Sequence, residues 1–276
     1  MEKHFAVIGN PIAHSLSPAM HRGGYRELEL EADYLRLQVE PSALSQAVQG
    51  LKAVGFTGWN VTVPFKEQII PLLDELTPEA LEAGAVNTVK VQEDGRLLGH
   101  NTDGQGFIHS LQDDLKLEKG IQVVILGAGG AAKGIAMALL PYEVKITVLN
   151  RTPERAQKLV ELINSHGGEA LVQSWGNGDW LKSAQLLIQT TSLGLRQEKY
   201  PFSLKGISAE TLVVDIIFNP WETPFLREAR ELGCRTLNGA GMLLYQGALA
   251  WEFWLGGQAP VEGMKKGLLE ALPKKG

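Results

Sequence analysis

The chain has a single cysteine, Cys234, in 276 residues, which excludes an internal disulfide framework and every CxxC-type metal spacing. Its six histidines are scattered and form no HExxH pair, so no metal site is expected. Lysine and arginine total 26 against 31 acidic residues, a formal net charge of −5, and they form no basic stripe of the kind that tracks a nucleic-acid backbone. Any anion bound here must therefore be held by a local site. No run approaches the roughly 18 apolar residues of a membrane span, and the apolar stretch after MEKH is too short for a signal-peptide core. The expectation is a soluble, cytoplasmic protein with neither nucleic acid nor membrane as partner. Repeats and low-complexity segments are also missing. What is present is a composition 44% hydrophobic, over a length that suggests two domains at about 100 to 200 residues each.

The first hundred residues alternate short apolar runs with helical patterns, as βαβ units do. Phe5 to Ile8 reads as a strand, followed by GNPIAHSLSP, in which Ser17 with Pro18 opens a helix to about Leu30. Leu35, Leu37 and Val39 alternate with Arg36 and Gln38 as the inward face of a half-buried strand, and Leu44, Val48 and Leu51 mark one side of a helix. Thr57 to Val61 reads as the next strand. A helix from about Lys66 to Leu76 is expected to kink or break at Pro71. Strands at 89–91 and 96–98 form a hairpin across Asp94-Gly95.

A helix from about Gly104 to Leu115 bridges to a second unit centred on QVVILGAGGAAKGIAMALL, residues 122–140. Further strands at about 144–149, 170–173, 186–189 and 211–216, with a helix at 153–165, have the rhythm of a doubly wound sheet. The stretch from Gly241 to Leu255 is almost wholly apolar and reads as a buried helix that packs back on the first unit.

Gly127-Ala128-Gly129-Gly130-Ala131-Ala132 follows a strand and opens a helix. The first glycine permits the tight turn, the second lets the backbone approach a pyrophosphate, and the small sixth residue lets helix and strand pack closely. About 20 residues on, where an NAD enzyme places an acid on the ribose 2′-hydroxyl, stands Asn150-Arg151-Thr152, with Arg155 one turn later. An arginine can grip a 2′-phosphate through paired charge-assisted hydrogen bonds, so the expected cofactor is NADP.

Three polar clusters lie at or near strand ends in the first unit: Ser15 and Ser17; Asn60, Thr62 and Lys66; and Asn87 with Asn101-Thr102-Asp103. They supply hydroxyls, amides, one ammonium and one carboxylate, a set suited to a small acid with several hydroxyls. Each also has a plain structural reading: Ser17 as helix cap, His14 as loop support, Lys66 as a surface lysine, Asp103 as N-cap, Asn60 and Thr62 as partners for backbone groups near Pro64. Their joint placement favours a site.

With these residues assembled, the chain closely resembles the shikimate dehydrogenase family. The match runs through GNPIAHSLSP, NVTVPFK, GAVNT, NTDG, GAGGAA, NRT, TTSLG, DIIFNP and NGAGMLLYQGA, in order and over nearly the whole chain. The resemblance implies an α/β protein of two domains. One is a mixed α/β substrate-binding domain over 1–103 and 240–276, and the other a Rossmann-type doubly wound NADP-binding domain over 104–239. It implies that Lys66 and Asp103 are the catalytic pair, and that Ser15, Ser17, Thr62, Asn87, Phe218 and Gln246, together with that pair, contact the substrate. Gly127, Ala128, Gly129, Gly130, Ala131, Asn150, Arg151, Thr152, Arg155, Thr191, Ile216 and Gly239 would contact NADP. In the family's D-x-x-Y-N-P pattern this chain has Phe218 for tyrosine, which keeps a ring and loses a hydroxyl.

The implied reaction is reversible NADPH-dependent reduction of 3-dehydroshikimate to shikimate, on the route to aromatic amino acids, with Lys66 as proton donor and closure of the two domains about 101–104 and 238–241. Quinate or dual shikimate/quinate dehydrogenase activity shares these motifs. A non-catalytic NADP- or metabolite-sensing module would be expected to have lost Lys66, Asp103 or the glycine turn. A folate-type dehydrogenase would not need the serine loop. Monomer and homodimer are both open.

Overall fold

Two six-stranded sheets organise the chain. The computed structural model describes residues 3–112, 114–175, 178–195 and 200–272. The chain divides into two units, Met1–Gly106 with Leu243–Gly276, and Phe107–Met242.

The first unit begins with β1 (Lys3–Gly9), α1 (Ser17–Glu27), β2 (Ala32–Gln38), α2 (Leu44–Ala53) and β3 (Gly58–Val61). It continues with β4 (Glu75–Leu76), α3 (Pro78–Ala83), β5 (Thr88–Val91) and β6 (Leu97–His100). The sheet order is β2-β1-β3-β5-β6-β4. β1 pairs in parallel with β2 and β3, whereas β5 runs antiparallel to both β3 and β6. The carboxyl ends of β1, β3 and β6 and the amino end of β5 therefore fall along one edge of the sheet. The core on the α2 side gathers Ile8, Val48, Trp59, Val61, Phe65, Ile69, Val86 and Val89, and α2 buries Leu44, Val48 and Leu51, the face its 3–4 spacing marks.

Two expectations are corrected. The segment 66–76 is not an α-helix but a string of turns, a 3₁₀ turn at Ile70–Leu72 and the short β4. Pro71 has no N–H to give to the Glu67 carbonyl, which instead accepts from Ile70 N at 3.4 Å, a one-residue-shorter closure. At β2 the alternation holds for Val39, buried in the core on the α2 side, and for Leu37, packed against it, but Leu35 is 38% exposed, and on the opposite face Tyr34 is fully buried. β2 is an edge strand, and α1 covers the face opposite the leucines.

α4 (Asp103–Leu111) starts in the first unit and ends earlier than the sequence suggests. The second unit then runs β7 (Gln122–Leu126), α5 (Gly130–Leu139), β8 (Lys145–Leu149), α6 (Pro153–Ser165), β9 (Glu169–Val172) and α7 (Asp179–Ser183). It closes with β10 (Leu186–Gln189), β11 (Leu212–Asp215), α8 (Pro224–Glu231) and β12 (Arg235–Leu237). Its sheet order is β12-β11-β10-β7-β8-β9, and every pairing is parallel. That order reverses between β7 and β10, the switch point beside which such sheets bind ligands.

α9 (Ala240–Leu255) has no exposed residue. Its Trp254 ring stacks on Phe5 at 4.8 Å and donates its indole N–H to the Val89 carbonyl at 2.8 Å. The last helix, α10 (Val261–Ala271), packs on α1 and buries Met264 and Leu268.

Candidate functional site

In the first unit the polar clusters meet along the shared sheet edge. Lys66 follows β3, and its carbonyl accepts from Val86 N at 2.7 Å, which ties it to the start of β5. Its ammonium donates to Asp103 Oδ2 at 2.5 Å, with side chains only 14% and 6% exposed, so the surface-lysine reading fails. Asp103 is the first residue of α4, and its carboxylate does not cap that helix. Oδ1 accepts instead from Asn87 Nδ2 at 2.9 Å, while Asp103 N donates to Asn101 Oδ1 at 3.0 Å. Asn87 also donates to Thr102 Oγ at 2.9 Å and to Gln246 Oε1, on α9, at 3.5 Å. Lys66, Asn87, Asp103 and Gln246 are thus one connected group. Removing one member of such a buried ion pair leaves an uncompensated charge.

Ser15 and Ser17 sit together after β1, the Ser15 hydroxyl donating to Ser17 Oγ at 3.3 Å. The cap reading of Ser17 is corrected: Leu16 is the N-cap residue and its side chain makes no cap, and Ser15 Oγ accepts from Ser17 N, the first N–H of α1, at 3.3 Å. Ser17 is therefore free of capping duty. Thr62 is half-buried, its N–H donating to the Ile8 carbonyl at 3.0 Å, so the ends of β1 and β3 are clasped together.

Sequence reading missed two residues in this network. Tyr34 donates to Asn60 Oδ1 at 2.6 Å, and Thr88 donates to Asn87 Oδ1 at 2.9 Å. The signal for Tyr34 was an aromatic beside a leucine alternation in an edge strand, where either face can be the covered one. Asn60 serves backbone and side chains at once, donating to the Asn87 carbonyl at 3.1 Å and to Thr88 Oγ at 3.0 Å.

In the second unit the carboxyl ends of the parallel strands carry the other set. Gly127 adopts φ +116°, and a Cβ there would stand 2.4 Å from Thr190 Oγ, so the turn accepts only glycine. Gly129 is the N-cap residue of α5, and Ala132 is fully buried where helix meets strand. Ala128 is buried, whereas Gly130 and Ala131 are partly exposed in the first turn of α5. After β8, Asn150 Nδ2 donates to the Thr152 carbonyl at 2.8 Å, and Arg151 and Arg155 are exposed at the start of α6. Thr152 is its N-cap residue but makes no side-chain cap.

After β10 the loop is shaped by Gln189, which sequence reading did not single out. Its amide accepts from Thr191 N at 2.7 Å and donates to the carbonyls of Thr191 and Leu193 at 3.1 and 3.0 Å. After β11, Asp215 accepts from Ile217 N at 3.0 Å and from the Thr223 hydroxyl at 2.7 Å, and burial pushes its carboxyl up to about 7. This braces the segment carrying Ile216 and Phe218. Gly239 N donates to the Ile217 carbonyl at 3.0 Å, which sets it against Ile216. Among the described residues no group of three or more His, Cys, Asp and Glu could hold a metal ion, and no helix is long and apolar enough to cross a membrane.

Comparison with known proteins agrees along the chain. Residues 7–89 match the shikimate dehydrogenase substrate binding domain, 111–196 match shikimate / quinate 5-dehydrogenase, and 239–269 match the shikimate 5'-dehydrogenase C-terminal domain. A shikimate dehydrogenase (NADP(+)) of Desulfitobacterium hafniense (strain Y51) is 64% identical over 272 residues, 99% of each chain. One from Geobacillus sp. (strain WCH70) is 41% identical over 276 residues, again 99% of each. Among solved structures, shikimate 5-dehydrogenase from Thermus thermophilus, in complex with NADP(H) and shikimate, matches with TM-score 0.87 and 38% identity, covering 98% of this chain and 100% of that one. Quinate dehydrogenase from Corynebacterium glutamicum, in complex with NAD, matches with TM-score 0.88 at 30% identity, covering 98% and 99%.

Proposed function

The chain belongs to the shikimate dehydrogenase family, and from that premise we propose how its residues divide the work. It is an NADP-dependent oxidoreductase that interconverts 3-dehydroshikimate and shikimate. The observation that carries the assignment of residues is the buried Lys66–Asp103 pair held by Asn87 at the edge of the first sheet.

The first unit, as 1–103 with 240–276, binds the substrate. Ser15 and Ser17, two neighbouring hydroxyls on a helix start, hold its carboxylate. Thr62, Asn87 and Gln246 take its hydroxyls. The Lys66 ammonium faces the ketone oxygen and donates a proton as negative charge develops there, and Asp103 holds the ammonium in place. In the oxidative direction the neutral amine takes the proton back. NADPH supplies the hydride when bound.

The second unit, as 104–239, holds the cofactor. The Gly127–Ala131 turn and the α5 N-terminus suit a pyrophosphate, and Asn150, Arg151, Thr152 and Arg155 stand where the 2′-phosphate is read. Thr191, Ile216 and Gly239 lie on the loops that follow β10, β11 and β12. Phe218 contributes a ring without a hydroxyl to the substrate side.

The assay is spectrophotometric: NADP reduction with shikimate, then quinate, then NAD with each. Rapid NADP reduction with shikimate and little with quinate is expected; no turnover of shikimate overturns the reading. Arg151→Ala is expected to raise KM for NADP by about ten- to a hundredfold, the worth of a charge-assisted bidentate contact, and to leave NAD kinetics nearly unchanged. Equal losses with both cofactors would sink the role of Arg151.

One free cysteine suits the reducing cytoplasm in which we place this enzyme. We further propose that it forms a homodimer. β2 is an open sheet edge, and beside it Leu35 and Val54 are 38% and 68% exposed. Sedimentation at twice the mass of the 30.0 kDa chain is expected, and a single-chain mass overturns the dimer.

A further inference from the structure

We propose that Tyr34 is a positioning residue of the reaction, because one hydrogen-bonded chain runs from its hydroxyl through Asn60, Thr88 and Asn87 to the Lys66–Asp103 pair. The inference rests on the roles proposed above for Lys66 and Asp103.

Tyr34 is fully buried on β2, its ring stacked on His21 of α1 at 4.4 Å and 7°. Burial raises the phenol well above its ordinary range and pushes His21 down to about 3, so the phenol keeps its proton and the imidazole carries no charge. The Tyr34 hydroxyl donates to Asn60 Oδ1 at 2.6 Å. Its direction is dictated from the far side. Asn60 Nδ2 faces the Asn87 carbonyl at 3.1 Å, and a carbonyl only accepts. Asn60 Oδ1 must then face Tyr34, which spends its single proton there.

The same amide nitrogen donates to Thr88 Oγ at 3.0 Å, so Thr88 sends its own proton to Asn87 Oδ1 at 2.9 Å. That oxygen also accepts from Thr102 N at 2.9 Å. Asn87 Nδ2 is thereby turned to Asp103 Oδ1 at 2.9 Å, which leaves Oδ2 for Lys66. Ser17, whose Oγ accepts from the Ser15 hydroxyl at 3.3 Å, acts on Tyr34 from another side, where it opposes the upward push of burial on the phenol.

Loss of the hydroxyl leaves Asn60 Oδ1 buried without a donor. Rotation of the amide would satisfy that oxygen only by setting it against the Asn87 carbonyl and by drawing the Thr88 proton away from Asn87. Either outcome loosens the amide that holds Asp103.

The test is a double-mutant cycle on kcat with Tyr34→Phe, Asn60→Ala and the double variant, alongside Lys66→Ala and melting curves for each. Tyr34→Phe keeps the ring and its stack on His21. It is expected to lower kcat about tenfold, with KM for shikimate changed less than about threefold, and the double variant is expected to lose no more than Asn60→Ala alone. Losses that multiply, kcat within about twofold of wild type, or a rise in KM alone overturns the proposal. So does a lowered melting temperature with unchanged kcat in the folded protein. If Lys66→Ala keeps normal kcat, the assignment of the catalytic pair fails; if Lys66→Ala is slow and Tyr34→Phe is not, only the role of Tyr34 fails.

Discussion

Lys66→Ala lowers kcat by about 10² to 10⁴, the usual range for losing a positioned general acid. At about 1.36 kcal/mol per decade, that is roughly 3 to 5 kcal/mol of transition-state stabilisation. Because the proton moves only as the alkoxide forms, kcat and kcat/KM fall together and KM for shikimate changes little. The substitution also strips the partner from Asp103, a carboxylate only 6% exposed. Breaking a buried pair from one side typically costs about 3 to 5 kcal/mol of stability, so a slow variant could merely be a poorly folded one. Lys66→Ala combined with Asp103→Asn separates the two effects. Neutralising the stranded carboxylate is expected to restore much of the melting temperature while leaving kcat as low as before. Steady-state kinetics and thermal melts on the same preparations read both. A single variant with near-normal kcat refutes the role of Lys66, and recovery of kcat in the double variant shows that the first loss came from instability.

How much of this was legible depends on how local the determinants are. The glycine turn was readable because strand, turn and helix follow one another within residues 122–140, and each small residue there has its own reason: positive φ at Gly127, burial at Ala132. The hairpin across Asp94-Gly95 was readable for the same reason, and the structure pairs Val91 with Leu97 around it. Where tertiary cover decides, pattern alone misled. The alternation in β2 located one covered face, where Val39 and Leu37 join the core on the α2 side, but α1 covers the other face as well, and so the residue that reaches the site network, Tyr34, was passed over. The segment after Lys66 carries enough apolar residues for a helix, yet the missing N–H of Pro71 turns it into successive tight turns. Ser17 before Pro18 has the composition of a cap without acting as one, because the first helical N–H is met by Ser15 instead. The pairing of Lys66 with Asp103 joins residues 37 apart in sequence, and only the side-by-side ends of β3, β5 and β6 bring them together.

Gly239→Ala is the second substitution with a large expected effect, and it acts through backbone rather than charge. A Cβ at position 239 would stand 1.9 Å from the Ile216 carbonyl oxygen and 2.3 Å from its carbon. No side-chain rotation relieves that, since both atoms are main chain. Ile216 cannot yield freely either: its N–H donates to the Gln189 carbonyl at 3.1 Å, continuing the β10–β11 ladder, and Gly239 N is bonded to the Ile217 carbonyl at 3.0 Å. Relief must therefore displace the segments after β11 and β12 together, and these carry two of the proposed cofactor contacts. The expected result is a lowered melting temperature and a rise of at least about tenfold in KM for NADP, with a weakened thermal shift on adding NADP, because a ligand stabilises only in proportion to its occupancy of the folded state. Gly129→Ala supplies the contrast. That position has φ −92° and nothing within 4 Å of where a Cβ would stand, so the free protein accepts the methyl group without strain. The added carbon would occupy space that a pyrophosphate needs to approach the α5 N-terminus. Gly129→Ala is thus expected to keep the wild-type melting temperature and still bind NADP more weakly, whereas Gly239→Ala loses both. If Gly239→Ala retains a KM for NADP within about twofold of wild type, the close approach of residues 216 and 239 has no part in holding the cofactor.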